Sequence, residues 1–500
     1  MEQLFVGGEQ VASRSSAAIP VENPATEEVI TEVPDATAED IDRVVEAARR
    51  AQRSWGKVDG LTRAELLHEC ADRLLRDAPD LARLLTREQG KPLKESLDEI
   101  EWSVTAFRHL GEVARASGGR VVAPTKSGQM NLVLEEPVGT VVHIFPSNYP
   151  IVLLAWQCAA ALAAGNACIV KPSELTPLTT LRLGPLFDHL PAGIFNIVTA
   201  TGAGSAQLVG HEGTDMIAFT GSVATGRRVM EGAAPRIKKL LLELGGNNPF
   251  IVLADSKLDP ASRGAVFSAF LNAGQVCTAA SRFYVEESVF DEFMEHAVSQ
   301  TEALRIGDPM EDVDVGPMVA RPLTENIDRA LEEFADKGAH VRTGGGRPDN
   351  LPKGHFYQPT IVELTDPRQQ QPEEEIFGPL ATFTPVRDLD EAIDLANDTH
   401  YGLGASIYTS SLETAMRAAT ELRAGTVWIN DPLKDNDAAP FGGQKMSGMG
   451  RELGSEGVSA FTETKHVHID FAQQSQQEWW FPYERPELQD RPNLYERPNL

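Results

Sequence analysis

One cysteine stands in a context that suits a nucleophile. Cys277 lies in the segment Gly-Gln-Val-Cys-Thr at 274–278, where glycine and polar neighbours indicate a turn. A thiol on a turn can face a cleft, and its thiolate is a strong nucleophile. The other three cysteines fall in helical or apolar patterns typical of small buried residues: Cys70, Cys158 and Cys168. By itself this pattern leaves Cys277 open as a catalytic or a core cysteine.

Three further segments place a polar group at the predicted end of a strand. Glu243 ends an apolar run and precedes two glycines, and a carboxylate there can act as a general base. Asn148 lies between two prolines, so its amide can be held at a fixed point. The turn at Gly221-Ser222 leads into a helix whose N-terminus could bind a pyrophosphate. Each segment alone is also compatible with a plain turn.

Taken together, these segments resemble the aldehyde dehydrogenase superfamily over residues 20–467. The resemblance depends on ordered motifs at matching spacing: Pro-Ser-Asn-Tyr-Pro at 146–150, Lys-Pro-Ser-Glu at 171–174, Phe-Thr-Gly-Ser at 219–222, Glu-Leu-Gly-Gly at 243–246, Gly-Gln-Val-Cys at 274–277, Glu-Glu-Ile-Phe-Gly-Pro at 374–379 and Pro-Phe-Gly-Gly at 440–443.

The resemblance implies an NAD-dependent oxidation of an aldehyde to its carboxylic acid. Cys277 is the implied nucleophile, which forms a thiohemiacetal and then a thioester. The Asn148 amide and the Cys277 backbone N–H are the implied oxyanion donors. Glu243 is the implied base for the water that hydrolyses the thioester, and Lys171 is counted with this catalytic set.

The resemblance also implies a dinucleotide site, and no metal is expected. Glu174 would repel the 2′-phosphate of NADP, so NAD is favoured and NADP is the weaker alternative. The implied cofactor-binding residues are Ile144, Pro146, Ser147, Lys171, Ser173, Glu174, Gly204, Phe219, Gly221, Ser222, Leu244, Glu375 and Phe377. Ser147 departs from the tryptophan that many family members carry before the asparagine.

The aldehyde itself stays open. The implied tunnel residues are Tyr149, Val152, Trp156, Val276, Thr278 and Asp435. Apolar side chains around Trp156 favour an apolar substrate, whereas the polar stretch at 430–439 argues against a purely fatty one. The alternatives are a semialdehyde- or aminoaldehyde-specific enzyme, a CoA-acylating enzyme of the same fold, and a non-catalytic binding protein. Retention of Glu243 favours hydrolysis by water over transfer to CoA.

Short apolar runs alternate with helical runs after residue 138, which predicts βαβ units with parallel sheets. The expected fold is α/β, with a Rossmann-like cofactor domain, an α/β catalytic domain and a small β oligomerisation arm. The predicted boundaries are 1–117 and 138–245 for the cofactor domain, 246–443 for the catalytic domain with a return at 444–464, 118–137 and 465–480 for the arm, and 481–500 for a Pro-rich tail.

The composition limits the partners and the compartment. Over 500 residues, 45 Lys and Arg against 73 Asp and Glu give a net charge of −28, which disfavours nucleic acid and anionic membranes. Four cysteines do not form a disulfide framework, and no secretory signal or spanning segment is visible, so a cytoplasmic protein is expected. The expected assembly is a homodimer or homotetramer, and Trp479 and Trp480 in the tail are candidate anchors.

Overall fold

The structure is a computed structural model that describes residues 2–116, 118–371, 374–471, 473 and 481. Trp479, Trp480 and the predicted tail after residue 481 lie outside the described residues.

Helices and strands alternate through most of the described chain. The helices are α1 (Ala38–Trp55), α2 (Gly60–Gln89), α3 (Leu93–Ala116), α4 (Pro150–Ala163), α5 (Leu178–Leu186), α6 (Gly202–Gly210), α7 (Val223–Ala233), α8 (Leu258–Phe270), α9 (Phe290–Glu302), α10 (Arg321–Asp336), α11 (Pro367–Gln370), α12 (Leu389–Asn397), α13 (Leu412–Glu421) and α14 (Gly454–Ala460). The strands are β1 (Leu4–Val6), β2 (Glu9–Val11), β3 (Ala18–Asn23), β4 (Glu28–Pro34), β5 (Arg120–Val122), β6 (Gln129–Pro137), β7 (Thr140–Ile144), β8 (Ala167–Lys171), β9 (Phe195–Ile197), β10 (Met216–Gly221), β11 (Lys239–Leu244), β12 (Asn248–Val252), β13 (Ala280–Glu286), β14 (His340–Thr343), β15 (Thr360–Glu363), β16 (Leu380–Val386), β17 (Gly404–Tyr408), β18 (Thr426–Ile429), β19 (Gly448–Met449) and β20 (Thr462–Asp470).

Local sequence signals set several helix ends. Thr37 caps α1 in a capping box: its hydroxyl accepts the Asp40 N–H, and the Asp40 carboxylate accepts the Thr37 N–H. Helix α2 ends at Gly90, whose φ of 99° is the left-handed conformation that glycine adopts easily. Helix α4 begins with Pro150 and is buried along its whole length, because its residues are almost all apolar.

The first sheet contains the strands whose ends carry most of the predicted cofactor-binding residues. Among the described residues its strand order is β19-β11-β10-β7-β8-β9-β1-β2, and the five strands from β11 to β9 are parallel. Strands β7 and β8 are buried on both faces, as expected where helices cover a parallel sheet on both sides. The carboxyl ends of the parallel strands therefore gather at one edge, where ligands bind in sheets of this type.

The second sheet supports residues 274–278, the segment that contains the candidate nucleophile Cys277. Its order in the described part of the chain is β14-β15-β16-β13-β12-β17-β18, and the strands from β15 to β18 are parallel. Cys277 lies in the turn that precedes β13. The two mainly parallel sheets, with helices between the strands, confirm the predicted α/β class.

The chain divides into two compact units. The larger contains Met1–Ser117 and Glu136–Glu463, and the smaller contains Gly118–Glu135 and the described residues from Thr464 onward. Strands β20, β6 and β5 form a separate three-stranded sheet. The predicted division of the larger unit into cofactor and catalytic domains stays a prediction. None of the helices in the described residues is both long enough and apolar enough to cross a membrane.

Candidate active site

An unusual turn presents Cys277. Residues 272–274 have consecutive φ values of 50°, 53° and 72°, and left-handed backbone at a non-glycine residue stores strain. The buried Gln275 side chain holds this turn. Its Nε2 donates to the Asn272 carbonyl at 3.0 Å, and its Oε1 accepts the Val319 N–H at 2.9 Å. These bonds fix the backbone just before the thiol.

Cys277 opens onto a narrow cavity of about 40 Å³. The structure brings all six predicted tunnel residues to its wall, together with Asn148: Tyr149, Val152, Trp156, Val276, Thr278 and Asp435. It adds residues that the sequence had not placed in the tunnel: Trp102, Leu271, Leu433 and Phe441. The Trp156 and Phe441 rings pack with centroids 5.0 Å apart. The cavity is therefore mainly aromatic and apolar, with one carboxyl group.

The Asn148 amide faces the same cavity. Its Nδ2 donates to the Gln275 carbonyl at 3.0 Å, which leaves the second amide proton for another acceptor. Its Oδ1 is buried and has no hydrogen-bond partner in the described part of the protein. An amide with a spare donor beside a thiol is suited to stabilise an oxyanion that forms on a carbonyl attacked by that thiol.

Glu243 lies buried at the carboxyl end of β11, as predicted. Neither of its carboxylate oxygens accepts a hydrogen bond of standard geometry from the described residues. Burial, reinforced by the nearby Glu452, raises the pKa of Glu243 well above its usual value. Gly442 makes room for it, because a Cβ at residue 442 would lie 2.6 Å from the Glu243 Oε1. The ionised form of a carboxyl group with a raised pKa is a stronger base than an ordinary carboxylate and can accept a proton from water.

The surroundings of Cys277 favour the protonated thiol over the thiolate. Burial raises its pKa well above the ordinary value, and the Glu375 and Glu243 carboxyl groups add to the effect. Because the thiolate is the reactive form, the raised pKa lowers the fraction of Cys277 that could act as a nucleophile.

We therefore expect alkylation of Cys277 by iodoacetamide to be slow at pH 7 in the absence of ligands. The rate should rise about tenfold per pH unit and should not level off until pH exceeds the ordinary thiol pKa of about 8.5. The pseudo-first-order rate between pH 6 and 10 checks this, with a Cys277→Ala variant as background. A plateau below pH 8 would contradict the raised pKa.

Glu375 lies near Cys277, since its charge contributes to the raised pKa of the thiol. Its Oε1 accepts the Gly246 N–H at 3.2 Å. Gly245 permits this approach, since a Cβ at residue 245 would lie 2.1 Å from the Glu375 Oε2. Burial raises the pKa of Glu375 to about 8. Phe377 follows two residues later and is half-buried.

The remaining predicted cofactor residues lie along the carboxyl edge of the first sheet. Ile144 ends β7, with Pro146 and Ser147 directly after it, and Lys171 ends β8, with Ser173 and Glu174 after it. The Lys171 Nζ lies 3.4 Å from the Glu174 carboxylate. Others at the neighbouring strand ends and helix starts are Gly204 in α6, Phe219 and Gly221 in β10, Ser222 as the cap of α7, and Leu244 at the end of β11.

The sequence reasoning missed several polar residues around the site. Glu452 is buried beside Glu243 and accepts a hydrogen bond from Gln157 Nε2 at 2.6 Å. Lys91 and Glu99 form a buried ion pair whose lysine donates to the Asn148 carbonyl. No periodicity or spacing marks these residues, because the contacts that bring them to the site join segments far apart in the chain.

The site geometry can be compared with that of known proteins. A sequence model of the aldehyde dehydrogenase family matches residues 11–467. The chain belongs to this family. Among its relatives, a chloroplastic aminoaldehyde dehydrogenase of Arabidopsis thaliana is 40% identical over 93% of this chain and 96% of that protein. The betaine aldehyde dehydrogenase of Bacillus subtilis is 36% identical over 93% of this chain and 97% of that protein.

A solved structure from this family has the same fold as this chain. The betaine aldehyde dehydrogenase of Staphylococcus aureus, solved in complex with NAD⁺, superposes with a TM-score of 0.93 at 34% identity, over 96% of this chain and 97% of that chain. The predictions of the family and of an aldehyde dehydrogenase are therefore confirmed.

Proposed function

We propose that this enzyme oxidises a cationic aminoaldehyde to the corresponding amino acid, with NAD as the hydride acceptor and water as the final nucleophile. The observation that carries the choice of substrate is Asp435, whose carboxyl group lines the aromatic cavity that contains Cys277. The enzyme has the reaction type of its family, and its relatives named above act on aminoaldehydes or betaine aldehyde.

Two features of the cavity favour a substrate that carries a positive charge at the end remote from its aldehyde group. Burial raises the pKa of Asp435 to about 7, with a further contribution from Asp437, so a bound ammonium group would stabilise its carboxylate. The rings of Tyr149, Trp156 and Phe441 line the same space, and aromatic faces attract cations. An uncharged aldehyde would contact the aromatic rings but would form no ion pair with the Asp435 carboxylate.

In the first half of the reaction, the Cys277 thiol gives its proton to solvent, and the resulting thiolate attacks the aldehyde carbon and forms a carbon–sulfur bond. Negative charge moves to the carbonyl oxygen, where the free Nδ2 proton of Asn148 and the Cys277 backbone N–H stabilise it. One such donor is typically worth ~3–4 kcal/mol. When NAD is bound, its nicotinamide accepts the hydride from this carbon. Loss of the hydride leaves a thioester on Cys277.

In the second half, Glu243 takes a proton from water, and the resulting hydroxide attacks the thioester carbon. The carbon–sulfur bond then breaks, the carboxylic acid leaves, and the Cys277 thiolate is restored. The unpartnered Glu243 oxygens support this role, because they are available to the water molecule. Transfer to CoA would not require this base.

The cofactor is NAD, as in the Staphylococcus aureus relative, and the residues present fit it. The Lys171 ammonium and Glu174 carboxylate at the end of β8 match the hydroxyl groups of an adenosine ribose. The N-terminus of α7, after Gly221 and Ser222, offers backbone N–H groups to a pyrophosphate. The Glu375 carboxyl group would hold the nicotinamide ribose, and its hydrogen bond to the Gly246 N–H supports this role by fixing one of its oxygens.

We expect Glu174→Gln to shift the preference toward NADP. The carboxylate is partly exposed, so its repulsion of a 2′-phosphate is screened, and its loss should raise the NADP-to-NAD ratio of kcat/KM about tenfold. Parallel initial rates with both cofactors measure this ratio. Glu174→Asp keeps the charge and should retain most of the preference for NAD. An unchanged ratio in Glu174→Gln would remove Glu174 as the discriminating residue.

We expect Asp435→Asn to raise KM for 3-aminopropanal about tenfold and to leave KM for butanal unchanged. The two aldehydes differ mainly by an ammonium group in place of a methyl group, and a partly buried ion pair is worth about 1–2 kcal/mol. Steady-state rates at pH 8.5 measure both constants, since Asp435 is then ionised. Asp437→Asn is the matched control and should leave both KM values within about twofold. Equal changes for both aldehydes would contradict the cationic substrate.

We propose that the enzyme works as a homodimer or homotetramer in the cytoplasm. Strand β5 is fully exposed, and apolar side chains on it and on β6 face solvent, including Val121 and Met130. Such an edge is suited to pair with another copy of the chain. The four cysteines are free thiols, as expected in a reducing compartment.

A further inference from the structure

A buried ion pair lies directly behind the segment that carries Asn148. The Lys91 Nζ is 2.6 Å from the Glu99 Oε2, and both side chains have no exposed surface. Lys91 follows the end of α2, and Glu99 lies in the second turn of α3. Replacing a buried pair by apolar residues is often neutral or stabilising, so its presence needs a reason other than stability alone.

The Glu99 carboxylate caps the helix that follows Asn148. Its Oε1 accepts the Ile151 N–H at 2.7 Å and the Val152 N–H at 3.2 Å. These are orphan donors in the first turn of α4, where Tyr149 as the cap residue makes no side-chain hydrogen bond. The carboxylate therefore supplies the missing cap from another helix and fixes where α4 begins.

Lys91 holds the two residues just before that helix. Its Nζ donates to the Asn148 carbonyl at 2.6 Å and lies 3.6 Å from the centre of the Tyr149 ring. The ammonium thus contacts the backbone of the proposed oxyanion donor and the face of a tunnel residue at once. All these contacts, with those of Glu99, converge on residues 148–152.

We propose that Lys91 and Glu99 act as a positioning pair that sets the place of the Asn148 amide relative to the Cys277 thiol. The proposal rests on Asn148 as the oxyanion donor of the proposed function. The pair holds the backbone of residue 148 from one side, while the amide contacts the Gln275 carbonyl of the nucleophile segment from the other. Loss of the Lys91–Glu99 pair would let the Asn148 amide shift, although every group that touches the substrate would still be present.

The expected effect is on acylation and not on cofactor binding. A displacement of about 1 Å in a catalytic group can lower a rate about 10²-fold. We therefore expect Lys91→Met and Glu99→Gln each to slow the first turnover of NADH formation about 10- to 100-fold at saturating aldehyde. KM for NAD should stay within about twofold, because the NAD site is formed by other residues.

The decisive experiment is a double-mutant cycle with Asn148→Ala, read as the burst rate of NADH formation per titrated active site. Asn148→Ala alone should slow the burst about 10²- to 10³-fold. If Lys91 acts through Asn148, adding Lys91→Met to that variant should cost less than about threefold more. The first-order rate constant of the burst does not depend on the amount of folded protein, so unfolded protein does not affect the comparison.

Matched controls separate positioning from general stability. Glu88 is a buried carboxylate that caps α5 through the Leu178 and Thr179 N–H groups, and Lys238 is a buried lysine that donates to the Val209 and His211 carbonyls. Glu88→Gln and Lys238→Met should lower the melting temperature and leave the burst rate per site unchanged.

Each result of these experiments leads to a different conclusion. Effects of Lys91→Met and Asn148→Ala that multiply in the double variant would overturn the positioning pair and leave the oxyanion assignment intact. An unchanged burst rate in Asn148→Ala would overturn the proposed role of Asn148 and the positioning pair with it. A burst rate in Lys91→Met and Glu99→Gln equal to that of the controls would overturn the positioning pair.

Discussion

Replacing Cys277 by alanine is expected to lower NADH formation by at least about 10⁴-fold. The thiolate forms the covalent bond on which both halves of the proposed reaction depend, and no other described cysteine reaches the cavity, since Cys70, Cys158 and Cys168 are fully buried. The measurement is the initial rate of absorbance change at 340 nm with NAD and aldehyde in excess.

The control for this variant is Cys70→Ala, which removes a buried thiol from α2, away from the lining of the cavity. It should retain most of the activity of the parent enzyme, and both variants should bind NAD normally. Turnover in Cys277→Ala above about one hundredth of the parent rate would rule out Cys277 as the nucleophile.

Replacing Glu243 by glutamine is expected to separate the two halves of the reaction. Without the base, water attacks the thioester about 10²- to 10⁴-fold more slowly, while attack by the thiolate and loss of the hydride remain possible. The variant should therefore release one NADH per active site in a rapid burst and then almost stop. Stopped-flow absorbance gives the size of the burst and the rate that follows it.

A stronger nucleophile provides the control for this second prediction. Hydroxylamine needs no base at neutral pH, so its addition should restore steady turnover in Glu243→Gln and yield the hydroxamate. Loss of the burst together with the steady rate would show that Glu243 acts before the thioester forms. Acid production by the parent enzyme without added CoA would exclude the CoA-acylating alternative.

The sequence was most informative where function depends on residues near one another in the chain. Cys277, Val276 and Thr278 share one segment, as do Asn148, Tyr149 and Val152, and the structure places both segments on the wall of one cavity. The parallel strands were also predictable, because apolar runs of four to six residues alternate with helical patterns. The end of a parallel strand then fixes which edge of the sheet its last residue occupies.

Other features of the site could not be predicted from the sequence, because they depend on contacts between segments far apart in the chain. Lys91 is 57 residues from Asn148, and Gln157 is 295 residues from Glu452. Periodicity reports which face of an element is buried but not which distant partner meets it. The raised pKa of Asp435 likewise follows from burial by the surrounding chain, which its polar neighbours at 430–439 did not indicate.

The helix ends likewise differ in whether residues nearby in the sequence or distant residues determine them. Thr37 and Asp40 mark the start of α1 in the sequence, because a capping box is local. Helix α2 ends at Gln89, where Gly90 supplies the left-handed residue that ends it, which is also a local signal. Helix α4 has no local cap, and the carboxylate that serves it comes from α3.

The most direct test of the covalent mechanism is peptide mass spectrometry of the Glu243→Gln variant, mixed with NAD and aldehyde and quenched in acid at the end of the burst. The mechanism predicts that the peptide containing Cys277 carries the acyl group of the substrate, in an amount equal to the NADH released. NADH release with no acyl group on that peptide, or with the acyl group on another residue, would contradict it.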